Sequence, residues 1–188
     1  MNKVKFGLRN VHYAKMTVAN DGTISYGTPV PIPGGVNLSL SGVGDTNDFF
    51  ADDSIYYSNT ANQGYEGDLE IALIPKSFLK DIMGMEEDSN GALLEKSDAV
   101  ISPFALGFEV QGDEKGRRSW FYNCIAARPN QNASTIENSK TPSTETLSLK
   151  AMPRLTDKAV KTTMELSSDN QTAFNSFFNS VYEKTGSV

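Results

Sequence analysis

The sequence predicts a mainly β protein: a β-sandwich or barrel of about eight strands, with a short flanking helix and a C-terminal helix. Three observations carry that prediction. Apolar and polar residues alternate through most of the patterned segments, the period of strands with one covered face. Helical spacing occurs in only two places, residues 77–84 and 173–182. Turn signals at Asn20-Asp21-Gly22, Asn90-Gly91 and Gly112-Asp113-Glu114-Lys115-Gly116 punctuate the rest. With 188 residues, 38% hydrophobic content and ten Phe, the chain can bury one sizeable core. It reads as a single domain over 1–188, without internal repeats.

The first residues, about 1–14, form an N-terminal arm or a first strand. Val4, Phe6 and Leu8 alternate, Val11 and Tyr13 follow after a slip, and a bend is expected at Gly7. Residues 15–18 and Ile24–Tyr26 flank the Asp21-Gly22 step, a hairpin signal. Pro29, Pro31 and Pro33 then impose an extended, ladder-poor approach to the next strand. That strand, 36–40, should point Val36, Leu38 and Leu40 inward and Asn37, Ser39 and Ser41 outward.

Residues 42–63 read as a long polar loop with neither period, a kind of segment that is usually functional. It sets Phe49, Phe50, Ile55, Tyr56 and Tyr57 among Asp45, Asp48, Asp52 and Asp53. Such a loop either presents a surface for a partner to cover or folds back over its own core. Both readings stay open on these residues alone.

The stretch 64–85 organises the chain. Tyr65, Leu69, Ile71 and Leu73 project to one side of a strand, and Glu66, Asp68 and Glu70 to the other. Pro75 ends the strand, and Ser77 is placed to cap a short helix whose face is Phe78, Leu79, Ile82 and Met83. Gly84 suits its C-terminus. Residues 86–98 are a polar connector. Phe104, Leu106, Phe108 and Val110 mark another strand, with Ala105 and Gly107 on its wet face. Residues 118–127 form the next strand, and 129–145 a second polar loop. Residues 146–152 and 160–166 are the last strands. In the C-terminal helix, Ala173, Phe174, Phe177, Phe178, Val181 and Tyr182 share a face, Ser168 and Gln171 form a capping box, and Gly186 stands at the end.

The net charge of −6 argues against a protein that grips nucleic acid through phosphates, and no Lys/Arg run offsets it. The single cysteine, Cys124, permits no internal disulfide and fits a reducing cytosol. Set in the apolar run 120–125, it reads as a buried, inert thiol. The N-terminus lacks the apolar region of a signal peptide, so the sequon at Asn132-Ala133-Ser134 carries no weight. No stretch approaches the ~18 apolar residues of a membrane span.

Catalytic motifs are sparse. His12, the sole histidine, has neither a cysteine cluster for zinc nor a nucleophile motif for a triad. Asp45, Asn47, Asp48, Asp52 and Asp53 break the calcium-loop order, because Phe49 stands where a ligand belongs. Alternate residues along the Glu66, Asp68 and Glu70 face lie about 6.5–7 Å apart, near the carboxyl spacing of inverting glycosidases, and a small glycosidase using Glu66 and Glu70 is one alternative. A carbohydrate-binding module using Tyr56, Tyr57 and Trp120 as platforms is another. The expectation is no enzyme, no metal and no cofactor.

A resemblance goes further. Residues 3–14, Lys-Val-Lys-Phe-Gly-Leu-Arg-Asn-Val-His-Tyr-Ala, resemble the start of phi13-type major tail proteins of long non-contractile bacteriophage tails. It continues through Tyr26-Gly27-Thr28-Pro29-Val30 and Ile32-Pro33-Gly34. It is strongest at Gly64-Tyr65-Glu66-Gly67-Asp68-Leu69-Glu70-Ile71-Ala72-Leu73-Ile74-Pro75 and resumes at Thr144-Glu145-Thr146-Leu147. The chain departs from the commoner pattern at Phe50, where Tyr is usual, and at Gly35, where Ala is usual. The resemblance implies a structural virion protein, a tail-tube subunit assembled in the bacterial host cytoplasm. Six copies would form a ring, and rings would stack into a tube through which DNA passes without specific binding. The other implied partners are a tape-measure protein in the lumen, and tail terminator and distal tail proteins at the tube ends. It also implies that residues 42–63, with Phe49, Phe50, Ile55, Tyr56 and Tyr57, reach the adjacent ring. An acidic or neutral wall lets DNA pass, so Glu66, Asp68 and Glu70 are the expected lumen-facing residues, with Lys150 tempering their repulsion.

Overall fold

The structure, a computed structural model, describes residues 3–133, 135 and 142–185. Met1, Asn2, Ser134 of the sequon, part of the 129–145 loop and Gly186 at the expected helix end lie outside the described residues. In chain order the elements are β1 (Lys5–Val18), β2 (Ile24–Tyr26), β3 (Val30–Pro31), β4 (Gly35–Val43), β5 (Thr46–Ala51), β6 (Ser54–Thr60), β7 (Gly64–Ile71), α1 (Lys76–Asp81), β8 (Glu86–Glu87), β9 (Leu93–Leu94), β10 (Phe104–Gly112), β11 (Gly116–Ala126), β12 (Glu145–Met152), β13 (Lys161–Glu165) and α2 (Gln171–Asn175). The fold is mainly β, as the alternation implies. No helix among the described residues is long and apolar enough to cross a membrane.

One antiparallel sheet runs β2-β1-β10-β11-β12-β7-β4, with β13 joining β11 and β3 joining β1. It curls until its far strand returns to its near one. A side chain on Gly35 of β4 would meet Val11 Cγ2 of β1 at 2.9 Å. The enclosed face holds the main core, in which Leu69, Ile71, Leu106, Phe121, Leu147 and Leu149 are buried. Helix α1 closes this core with Phe78, whose ring meets Tyr13 and Phe104 edge-on at 5.1 and 5.4 Å.

The opposite face is divided. Over β1, β10 and β11 it carries a second core, where Ala14, Ala105, Trp120 and Tyr122 meet Phe177 and Val181 of the C-terminal segment. Over β12, β7 and β4 it lies bare. Strands in the covered half are therefore buried on both sides, and β10 has its first four residues buried in succession.

Several expectations are corrected. The N-terminal segment is one strand of 14 residues, paired along its length with β10, β3 and β2. Its register shifts between Lys5 and Leu8 and between Arg9 and His12 match the bend at Gly7 and the slip before Val11. Ala105 and Gly107 do not face water. Both are buried, and a side chain on Gly107 would meet the Trp120 ring at 2.7 Å, so the small residues make room for the indole. Val36 is 53% exposed because a register shift between Gly35 and Asn37 turns it out, and Leu73 is 67% exposed because β7 ends at Ile71.

Ser77 caps nothing. Pro75, extended at φ −64 and ψ 142, stands at the N-cap of α1 and leaves Ser77 within the first turn. Gly84 does follow the helix in the left-handed region, at φ 72. The connector 86–98 holds the small β8–β9 hairpin, with Gly91 in its turn. The C-terminal helix is the shortest of the expectations in fact: α2 stops at Asn175, and turns follow. The Ser168–Gln171 box is absent. Asn170 flanks the helix instead, its Oδ1 accepting the Ser167 N–H and its Nδ2 donating to the Glu165 carbonyl, each at 2.8 Å. The recurrent aromatics reflect contact with the second core, which turns satisfy as well as a helix.

Candidate functional site

The bare half-face is a three-strand ladder. Across β4, β7 and β12, Asn37, Glu70 and Thr146 stand in one row, Ser39, Asp68 and Ser148 in the next, and Ser41, Glu66 and Lys150 in the third. Period-two geometry sends all nine side chains to the side opposite Leu69, Leu147 and Leu149. Ser148 Oγ donates to Asp68 at 2.7 Å, Thr144 Oγ1 donates to Glu70 at 2.6 Å, and Lys150 Nζ lies 3.4 Å from Glu66. The expected pairing of Lys150 with a carboxylate is thus present, leaving three carboxylates against one ammonium. Glu66, Asp68 and Glu70 share one open face rather than opposite walls of a cleft.

The second feature corrects the unstructured loop. Residues 46–60 form the β5–β6 hairpin, which prolongs the β4–β7 ladder past a short interruption bridged by Ala61 N–H to Asp45 O (3.0 Å) and Gln63 N–H to Val43 O (2.8 Å). Its two-residue turn is Asp52-Asp53, at φ 49 and 57. Two consecutive positive-φ residues are the geometry of a type I′ turn, whose twist matches paired strands. Phe49 pairs with Tyr57 and Phe50 with Ile55, so Tyr56 is the extra residue of a bulge. Phe49, Phe50, Ile55, Tyr56 and Tyr57 are 55–74% exposed, so the ribbon does not fold back on its own core. Asp48 accepts from Ser58 Oγ across the ribbon at 2.6 Å.

A third feature escaped the sequence. At one end of the curled sheet lies a cavity of about 530 Å³. Its floor is apolar, with Leu38, Leu40, Tyr65, Phe108 and Phe121; its rim carries Lys3, Lys5, Arg117 and Lys161, and no carboxylate lines it among the described residues. Lys161 Nζ sits 4.6 Å from the Tyr65 ring centroid and 5.9 Å from that of Phe121. Arg117 is paired with Glu165 at 3.1 Å and Asp113 accepts the Lys3 backbone N–H at 2.9 Å, whereas the Lys3, Lys5 and Lys161 ammonium groups form no ion pair among the described residues. The four cations come from both ends of the chain and its middle, so no local pattern announces them.

The other candidates sit elsewhere. Cys124 is fully buried, and burial pushes its thiol up to about 12. His12 stacks on Phe178 at 4.7 Å, with Nδ1 2.8 Å from the Asn10 carbonyl. Trp120 is fully buried and its Nε1–H donates to the Phe177 carbonyl at 3.0 Å, so it joins Tyr56 and Tyr57 in no sugar platform. No family model matches the chain, and no curated protein matches it.

Proposed function

We propose that this chain is a structural virion protein, the tube subunit of a long non-contractile bacteriophage tail. Copies form six-membered rings that stack around a channel for DNA, with a tape-measure protein in the lumen during assembly and terminator and distal tail proteins at the ends. The observation that carries this reading is the bare ladder face. A sheet otherwise covered on both sides leaves one half open, and that half bears Glu66, Asp68 and Glu70 against Lys150 alone. A wall of that sign repels the phosphate backbone and retains no DNA. The projecting hairpin, with exposed aromatics on a two-strand ribbon, supplies a surface suited to a neighbouring ring. The resemblance at residues 3–14 and 64–75 supports the same assignment.

Negative-stain microscopy of the purified full chain tests the proposal. Rings or hollow tubes are the expected result, alone or when seeded with tail-tip complexes. A protein that stays monomeric under both conditions and binds an oligosaccharide would overturn it.

A further inference from the structure

We propose that the β5–β6 hairpin of one copy seats its acidic, aromatic tip in the cationic cavity of a second copy. The inference deepens the tail-tube reading and rests on its self-assembly. What it adds is the receptor, which the linear sequence conceals.

Charge complementarity carries the proposal. Residues 44–62 hold four carboxylates, Asp45, Asp48, Asp52 and Asp53, and no Lys or Arg. The cavity rim has the reverse character: Lys3, Lys5, Arg117 and Lys161 line it, Arg117 paired with Glu165 beside it, and no carboxylate is among its described lining residues, in a chain whose net charge is −6. The apolar parts match as well. Phe49 and Phe50 stand beside the Asp52-Asp53 turn, and the cavity floor offers Tyr65, Phe108 and Phe121 to aromatic rings. Lys161, held over Tyr65 and Phe121, places its charge at the boundary between floor and rim.

The occupant comes from another copy. Leu40 lines the cavity, and the ribbon departs from that point, so the turn at Asp52 lies roughly 35–40 Å further along extended chain. The tip is exposed within its own subunit and lines no part of the cavity there. Tip and cavity are different surfaces, which makes the contact heterologous. Where such a contact does not close on itself, it leaves free tips at one end of the assembly and free cavities at the other, and growth continues head to tail.

Carbodiimide coupling of a mixture of isotope-labelled and unlabelled full-length protein reads the contact directly. The expected products are peptides joining Asp52 or Asp53 of one chain to Lys5 or Lys161 of another, in heavy–light pairs. The double variant Lys5→Glu/Lys161→Glu should weaken association by at least ~10-fold in sedimentation, while keeping the parent's thermal midpoint. Adding Asp52→Lys/Asp53→Lys to the same chain should restore it. Tubes formed normally by Lys5→Glu/Lys161→Glu would overturn the docking and leave the tail-tube reading standing. A parent that is monomeric and unlinked at all concentrations, also when seeded with tail-tip complexes, would remove both. A monomeric parent whose cavity takes up anilinonaphthalene sulfonate, with uptake lost in the variant, would assign the cavity to a small anionic ligand instead.

Discussion

Arg118 donates from Nε to the fully buried Glu109 carboxylate at 2.9 Å and lays its guanidinium 4.1 Å over the Phe174 ring. A second guanidinium nitrogen donates to the Phe174 carbonyl. The pair therefore fastens the sheet to the C-terminal segment. Arg9 bonds the same carboxylate, and Asn10, held at φ 52 by the bulge in β1, donates to Glu109 Oε2 at 3.0 Å. Burial raises the Glu109 pKa, but these hydrogen bonds and the Arg118 charge outweigh it and hold the carboxyl below its ordinary value. A lowered folded pKa gives stability that is complete above the unfolded pKa and lost as pH falls through the folded one. Glu109→Gln leaves the largely covered Arg118 without its counter-charge and should cost about 3 kcal/mol at neutral pH. The gap between parent and variant midpoints should narrow below the ordinary glutamate pKa; a gap that stays constant on acidification would contradict this assignment.

The C-terminal segment completes the second core in the same way. Phe177 is fully buried, stacks on Tyr182 at 5.2 Å and accepts the Trp120 indole N–H at its carbonyl. Phe177→Ala should cost about 3–5 kcal/mol, and truncation after Asn170 should strip the cover from Trp120 altogether. The expected signs are a red-shifted tryptophan emission and insoluble or molten protein. A soluble truncate with the parent's emission and midpoint would show that the segment is dispensable.

Cys124 offers a check on the main core that needs no mutation. Its thiol is buried between β10 and β12, with pKa pushed up to about 12 by loss of solvation. At pH 8 the folded protein should resist iodoacetamide for hours and label fully in denaturant. Labelling of the folded chain at the rate of a free thiol would mean that this part of the sheet opens.

How much of this was legible depended on whether burial imposes a period. Glu66, Asp68 and Glu70 could be assigned to one face because Leu69 and Ile71 fix the other. The β5–β6 hairpin could not, because neither face of the ribbon is buried and Asp52-Asp53 replaces the usual Asn-Gly or Asp-Gly turn signal. Ala105 and Gly107 misled for the opposite reason: strands covered on both sides lose their alternation, and small residues opposite an indole look like a wet face. The aromatic spacing at 173–182 named the core-facing residues correctly while overstating the helix. Lys3, Lys5, Arg117 and Lys161 meet only through topology, and the sequence holds no sign of that meeting.

The ladder face carries the last prediction. In the proposed tube, Glu66, Asp68 and Glu70 line the channel together with the neutral rows of β4 and β12, Asn37, Ser39, Ser41, Thr146 and Ser148. Each copy in a ring brings its three carboxylates, and only Lys150, 3.4 Å from Glu66, offsets them. Asp68→Lys/Glu70→Lys reverses the sign of the middle and upper rows. Asp68 is exposed and Glu70 half-buried, and their partners Ser148 and Thr144 are exposed hydroxyls that water can satisfy. The fold should tolerate the change, with the thermal midpoint moving by less than ~3 °C, and tubes should still form. DNA is then drawn past a cationic wall. Each phosphate neutralised there releases counterions and adds about 0.9 to the slope of log affinity against log salt. Ejection from virions with normal tails should therefore slow, most at low ionic strength, and recover as salt shortens the screening length. If the ladder instead faces outward, DNA never meets these residues. Ejection kinetics would then match the parent's at every salt concentration, and the channel wall would have to be sought on another face.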